Sequence, residues 1–378
     1  MIYLNNAATS WPKPPSVTEA VTAALLSEPV SPLRSNLTSA DDVVTELRRS
    51  LGRLLNIADW QRIFFCSSAT DAFNRIVDGL GLGAHKDSSA GECHYEATAD
   101  NHNSVLRPLA NKTCTTPDGR YLPVFLNHCS NVTGQILDVQ RFRSLRSCGG
   151  DAPSGATPLI ILDAAQSAGC IPIDVDGWGV DILVFTGHKS LFGPMGTGGY
   201  YVRRGIDLRP SQFGGTGRDS SVIEYGDGDE WEYEVGTQNI PGLAGLKAGV
   251  DYVLGRGVEN IFHREQELTR WLIGELGAIP KVQLYVAPQG QATADACCCG
   301  QGPVVSFNIG GLHPSDVGYI LQNSFDITVR TGLHCAPLVH KRLGTGRYGT
   351  VRVSLSDFTT LSDLQALVKA VTEIAGSL

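Results

Sequence analysis

Apolar runs and polar breaks alternate through the first two thirds of the chain, and the alternation predicts strands interleaved with helices. SVTEAVTAALL (16–26) has helical spacing. TSADDVVTELRRSLGRLL (38–55) opens on Ser and Asp, then sets Val43, Val44, Leu47, Leu51, Leu54 and Leu55 on one helical face. RIFFC (62–66) is a short unbroken apolar run, the signature of a buried strand, and SSATDAFNRIV turns from it into a helix. LPVFL (122–126), PLIILD (158–163), DILVFT (181–186) and GTGGYYVRR (196–204) repeat the strand signal, bounded by polar residues or glycine. This order predicts an α/β fold with a mostly parallel sheet.

After about residue 240 the texture changes. PGLAGLKAGVDYVLGRG (241–257) and VENIFHREQELTRWLIGELG (258–277) predict long helices. GPVVSFNIG (302–310), DITVRT (326–331) and TVRVSLS (350–356) predict strands, and LSDLQALVKAVTEIAG (361–376) a closing helix. The chain therefore divides into an N-terminal segment (1–14), a large unit (15–245) and a smaller α+β unit (246–378). APQGQATADACCCGQG (287–302) reads as a loop.

The formal net charge of -8, with no Lys/Arg-rich run, argues against nucleic acid or an anionic membrane as the main partner. No apolar run approaches the ~20 residues that span a bilayer. MIYLNNAATSWPKPP lacks the basic start and apolar core of a secretory signal, so a cytoplasmic location is expected. There the 10 cysteines should be mostly thiols, several of them small core residues. Cys297, Cys298 and Cys299 stand out, but three adjacent cysteines cannot all face one ion, and no second pair stands at zinc spacing. No metal is expected; a plain loop is the simplest reading, with redox or sulfur relay as alternatives.

Open α/β sheets bind ligands at the carboxyl ends of their strands. Ser68, Thr70, Asn131, Asp163, Gln166, Thr186, His188 and Lys189 all follow a predicted strand. A lone lysine is usually a solvated charge. Lys189 preceded by Asp163 at the neighbouring strand end is different, because pyridoxal phosphate needs a lysine for its aldehyde and a carboxylate for its pyridine nitrogen. Gln166 could donate to the ring oxygen. The start of the helix after RIFFC, with Ala69 and the Thr70 hydroxyl, could hold the phosphate, helped by Thr186 and His188. His102, in DNHNSVLRP, could stack on the ring.

These residues belong to a longer series: YLNNAATS, SSATDAFN, NHNSVLRP, HCSNVTG, LDAAQSAG, FTGHKSLFGPMGTG, EVGTQN, VRTGLHCAP and VRVSLSDFTT. In this order, from residue 3 to about residue 360, the series resembles the cysteine desulfurase and selenocysteine lyase group of the class V aminotransferases, fold-type I pyridoxal phosphate enzymes. The resemblance implies a large cofactor-binding domain, a small domain carrying a cysteine loop, and an N-terminal segment near the active site. It implies that Lys189 is the Schiff-base lysine, Asp163 and Gln166 the ring partners, and His102 the stacking, proton-handling histidine. Ala69, Thr70, Thr186 and His188 become phosphate contacts, and Asn131 faces ring and substrate. Thr237 would reach the phosphate of a partner subunit, implying a homodimer. Arg352, with Asn6 and Arg330, would hold the carboxylate of L-cysteine. Cys335 becomes the nucleophile that takes the sulfur and passes it to an acceptor protein.

Two departures bear on the thiol and the sheet. Leu333-His334 stands where relatives carry two histidines, leaving His334 and Arg330 as the nearest groups to activate Cys335. The span from His102 to Asn131 is short, so an element is expected to be missing there. Alternatives to desulfuration of L-cysteine are selenocysteine lysis, another class V reaction such as transamination or C–S lysis, and a sulfur-delivery scaffold with little activity of its own.

Overall fold

The structure, a computed structural model, describes residues 1–27, 42–83, 95–112, 121–143, 157–206, 208–215, 223, 233–287 and 298–378. The chain begins with strand β1 (Ile2–Tyr3), helices α1 (Pro15–Leu26) and α2 (Val43–Leu55), strand β2 (Ile63–Cys66) and helix α3 (Ala69–Gly79). β3 (Glu96–Ala97), α4 (Asn103–Asn111), β4 (Tyr121–Asn127), β5 (Gln135–Leu137) and α5 (Gln140–Arg143) follow. Next come β6 (Thr157–Asp163), α6 (Val175–Trp178), β7 (Ile182–Thr186), β8 (Gly198–Val202), α7 (Ile240–Arg256) and α8 (Val258–Gly277). The last part holds β9 (Val282–Tyr285), β10 (Cys298–Gln301), β11 (Val304–Ile309), α9 (Pro314–Phe325), β12 (Ile327–Thr328), β13 (Arg330–Gly332), α10 (Pro337–Arg342), β14 (Thr350–Ser354) and α11 (Leu361–Gly376).

The larger sheet has the order β2-β8-β7-β6-β4-β3. β3, β4, β6 and β7 are mutually parallel, and β8 pairs antiparallel with both β7 and β2. The β7–β8 connection has no crossover helix, so the chain can only turn back, and β8 runs against its neighbours. That connection carries Lys189 and stays at the carboxyl end of the sheet. Alternate residues of β6 serve opposite faces. Ile160 and Leu162 join Leu47, Leu51 and Leu55 of α2, while Leu159 and Ile161 join Phe73, Ile76 and Val77 of α3. Cover on both faces explains why these strands read as continuous apolar runs.

The second sheet, β13-β14-β11-β9, is antiparallel throughout. Its apolar face packs Val305, Phe307, Val351 and Val353 against Leu272, Leu321, Leu367 and Val371 of α8, α9 and α11. β1 runs parallel to β12, so the first residues dock on this second unit.

Two expectations change. The stretch 326–331 divides between β12 and β13. Part of the supposed 287–302 loop is strand β10, which pairs antiparallel with β5; residues 288–297, including Cys297, lie outside the described residues. The described residues after His102 form α4 and β4. Helix α2 starts at Val43 because the Asp42 carboxylate accepts from the Val44 and Thr45 N–H groups; the earlier part of the helix expected from residue 38 lies outside the described residues up to residue 41. Among the described residues no helix is long and apolar enough to cross a membrane.

Candidate active site

A cavity of about 210 Å³ opens at the carboxyl ends of β4, β6 and β7. The start of α3 contributes Ser68, Ala69 and Thr70, and the start of α4 His102 and Ser104. Strand ends and the loops after them contribute Asn127, Asn131, Asp163, Gln166, Thr186, His188 and Lys189, and the second sheet adds Arg330 and Arg352. Sequence reasoning missed Asn127 and Ser104. Asn127 had a readable signal, as the last residue of β4 in register with Asp163.

Asp163 is buried at the end of β6, where its Oδ1 accepts from the Ala165 N–H at 2.9 Å. Burial raises its pKa, while that N–H and the Lys189 ammonium pull it back. Burial pushes Lys189 down to about 8; Asp163 opposes this, and Arg352 and Arg330 reinforce it. The lysine is thus close to giving up its proton near neutral pH. His102 caps α4, its Nδ1 accepting from the Ser104 N–H at 3.0 Å. Burial, followed by the charge of Lys189, pushes His102 down to about 4, so the ring is neutral with its proton on Nε2.

The buried atoms Thr186 Oγ1, His188 Nδ1, Asn131 Oδ1 and Arg352 Nε have no hydrogen-bond partner. Buried polar atoms are costly when unpaired. All four belong to residues lining this one cavity, which suits a ligand bearing an anion and several polar atoms. The wall at the α3 start is tight as well: a Cβ on Gly198 would come within 3.0 Å of the Ser68 backbone. Residues and unpaired atoms together fit pyridoxal phosphate.

The cysteine turn lies between β13 and α10. His334 and Cys335 both have left-handed backbone, φ 49° and 60°, a region that non-glycine residues seldom adopt. Cross-links hold it there. The Leu333 carbonyl accepts from the Ala336 N–H at 2.9 Å, the His334 carbonyl from Asn131 Nδ2 at 2.6 Å, and the Cys335 carbonyl from the Asn103 N–H at 2.9 Å. Arg330 Nη2 stands 3.6 Å from Cys335 Sγ. His334, the other group expected to activate the thiol, does not do so. Its Nε2 lies 3.1 Å from both the carbonyl and Oγ1 of Thr350, and its ring is 2% exposed. Burial first, then Arg352, pushes it down to about 2, so it is a neutral anchor.

Arg352, fully buried in β14, donates from Nη1 to the Asn131 carbonyl at 3.0 Å and from Nη2 to Asn5 Oδ1 at 3.2 Å. Burial lowers its pKa to about 9, with Arg330 adding to the effect. Asn5, not Asn6, is therefore the asparagine that meets Arg352. Asn6 donates to the Ser354 carbonyl and accepts from the Trp11 N–H, because the chain turns directly after Asn5, where the Ala8 N–H donates to the Asn5 carbonyl. Gln166 lines the cavity but spends one amide hydrogen on the Ala7 carbonyl at 3.0 Å. Thr237 is exposed and does not line the cavity.

The family model for class-V aminotransferases matches residues 2–115 and 102–367. The chain belongs to that family. The chain is 33% identical over 263 residues to a probable cysteine desulfurase of Methanothermobacter thermautotrophicus, spanning 67% of this chain and 60% of that one. It is 28% identical over 405 aligned positions to a cysteine desulfurase of Pectobacterium atrosepticum, covering 99% of this chain and 93% of the other. Its fold superimposes on the apo structure of a cysteine desulfurase from Thermococcus onnurineus NA1 with a TM-score of 0.79 at 28% identity, covering 100% of this chain and 95% of that one. These matches put it in the cysteine desulfurase group of the family, with the α/β fold of fold-type I.

Proposed function

We propose that this class-V aminotransferase is a pyridoxal phosphate-dependent cysteine desulfurase that converts L-cysteine to alanine and takes the sulfur onto Cys335 as a persulfide. One observation carries the reading. Lys189, Asp163 and Arg352 line the same cavity as Arg330, and Arg330 reaches the Cys335 sulfur at 3.6 Å.

Asp163 would hold the cofactor's ring nitrogen, and Ala69, Thr70, Thr186 and His188 its phosphate, with His102 over the ring. When bound, pyridoxal phosphate supplies an electron-withdrawing ring that makes the substrate Cα–H acidic. The Lys189 amine, its pKa lowered to about 8, is suited to accept that proton at Nζ. Arg352 keeps Nε unpaired, a donor for the substrate carboxylate. The Arg330 guanidinium, 3.6 Å from Cys335 Sγ, can donate to that sulfur as it attacks. As Cys335 Sγ bonds to the substrate sulfur, the Cβ–S bond breaks and the three-carbon product leaves as alanine after protonation. Lys189 Nζ can return the proton it took up, with the neutral His102 ring beside it as a hydrogen-bond donor from Nε2. The persulfide then passes to an acceptor protein. A homodimer, with Thr237 reaching the partner's phosphate site, and a cytoplasmic location belong to the same reading; exposure of Thr237 away from its own cavity supports the dimer.

The test is mass spectrometry after brief exposure to L-cysteine. The peptide containing Cys335 should gain one sulfur while alanine accumulates. Cys335→Ala should lose both yet keep the visible band of bound cofactor. Full turnover of L-cysteine by Cys335→Ala refutes the nucleophile.

A further inference from the structure

The peptide from which Lys189 hangs is gripped from behind. The His188 carbonyl lies within hydrogen-bond distance of the Ser10 N–H (3.0 Å), Thr9 Oγ1 (3.1 Å), Ser10 Oγ (3.2 Å) and Lys13 Nζ (2.9 Å). Lys13 Nζ also donates to Ser10 Oγ at 2.8 Å, and that hydroxyl lies 2.8 Å from the Lys189 carbonyl. A relay thus runs from the Lys13 ammonium through a hydroxyl to the main chain of Lys189.

Lys13 is partly buried, and among the described residues it meets no carboxylate at ion-pair distance; burial lowers its own pKa to about 8, so it carries its charge below that pH. Its field reaches the cavity: after burial and Lys189, it is the next influence that depresses His188, which sits at about 4. The rest of the strap is fixed at both sides. Asn5 meets Arg352, the Ala7 N–H donates to Ser354 Oγ at 2.8 Å, and the Ala7 carbonyl accepts from Gln166.

We propose that Lys13 is a positioning residue for Lys189: it fixes the His188–Lys189 peptide and, while protonated, keeps a cation behind it, which lowers the proton affinity of the Lys189 nitrogen. The proposal rests on the reading of Lys189 as the cofactor-binding lysine. The other groups bearing on Lys189 are Asp163 from β6, Arg352 from β14, Arg330 from β13, Cys335 from the turn, His102 at the start of α4, and His188 beside it. Asp163 and Cys335 are the acidic members, and Lys13 adds positive charge from the N-terminal side.

The experiment titrates the visible band of the pyridoxal phosphate-loaded protein from pH 6 to 10, with a thermal melt of each variant. Lys13→Met should move the midpoint up by about half a pH unit or more, because a nearby cation has been removed. Lys13→Arg keeps the charge throughout, so its midpoint should lie at or below that of the unsubstituted protein. A purely structural lysine would give a Lys13→Met protein that melts earlier yet titrates at the original midpoint, and that result overturns the proposal. Should Lys13→Met not fold, a Lys13→Arg midpoint above the original overturns it equally. If the unsubstituted protein binds no cofactor through Lys189, the reading beneath the proposal fails first, and visibly so.

Discussion

The floor of the cavity and the cysteine turn solve opposite problems. The floor rests on the ends of β4, β6 and β7, and it leaves Thr186, His188 and Asn131 with unpaired buried atoms. Its rigidity comes from the sheet, so its polar groups stay available. The turn has no sheet beneath its own residues. It uses the carbonyls of Leu333, His334 and Cys335 in cross-links, and these hold two consecutive left-handed residues. A floor built this way suits a resident group. A turn built this way presents one sulfur atom.

The contrast breaks most sharply at the floor. Lys189→Ala should cut alanine formation from L-cysteine by about 1000-fold or more while circular dichroism stays native, since the proton acceptor is gone but no core packing is. Arg352→Lys keeps a charge but loses the planar fork, so KM for L-cysteine should rise by about 10- to 100-fold with a smaller change in kcat. The turn should respond in stability instead. His334→Leu loses the bonds to Thr350 and should lower the unfolding free energy by about 1–3 kcal/mol in a urea titration, without changing cofactor loading. Equal loss of loading in this variant would dissolve the distinction between floor and turn.

The smallest effect is a pH dependence. Histidine in the unfolded chain takes a proton near 6.5, whereas burial holds folded His334 at about 2. As pH falls through 6.5 the unfolded state gains a proton that the folded state does not, so stability falls. His334 alone should remove about 1 kcal/mol by pH 6, and the unfolding midpoint of His334→Leu should drop less between pH 7 and 6 than that of the unsubstituted protein. A steeper drop in the variant would contradict the burial of a neutral ring.

What could be read in advance follows the same division. Asp163 and Thr186 were legible because PLIILD and DILVFT are apolar runs that stop on a polar residue, and a strand end fixes where that residue stands. His334 was misread because sequence adjacency to Cys335 suggested contact, and the left-handed turn sends its ring to Thr350 instead. Asn5 and Asn6 are one residue apart, and only the pairing of the first segment decides which one meets Arg352. Strand β10 was hidden because its partner β5 lies far away in sequence, and a Gly/Gln/Ala-rich composition carries no strand periodicity of its own.

The pairing of β1 with β12 also orders events in time. Ile2 and Tyr3 leave the ribosome long before their partners Ile327 and Thr328. Until then Leu4, which ends fully buried in the second core, has nowhere native to go. The nascent chain can form the larger sheet as its strands emerge, but the strap behind Lys189 is anchored only once β12 has followed. Cofactor capture on the ribosome should therefore lag behind formation of the sheet that will hold it.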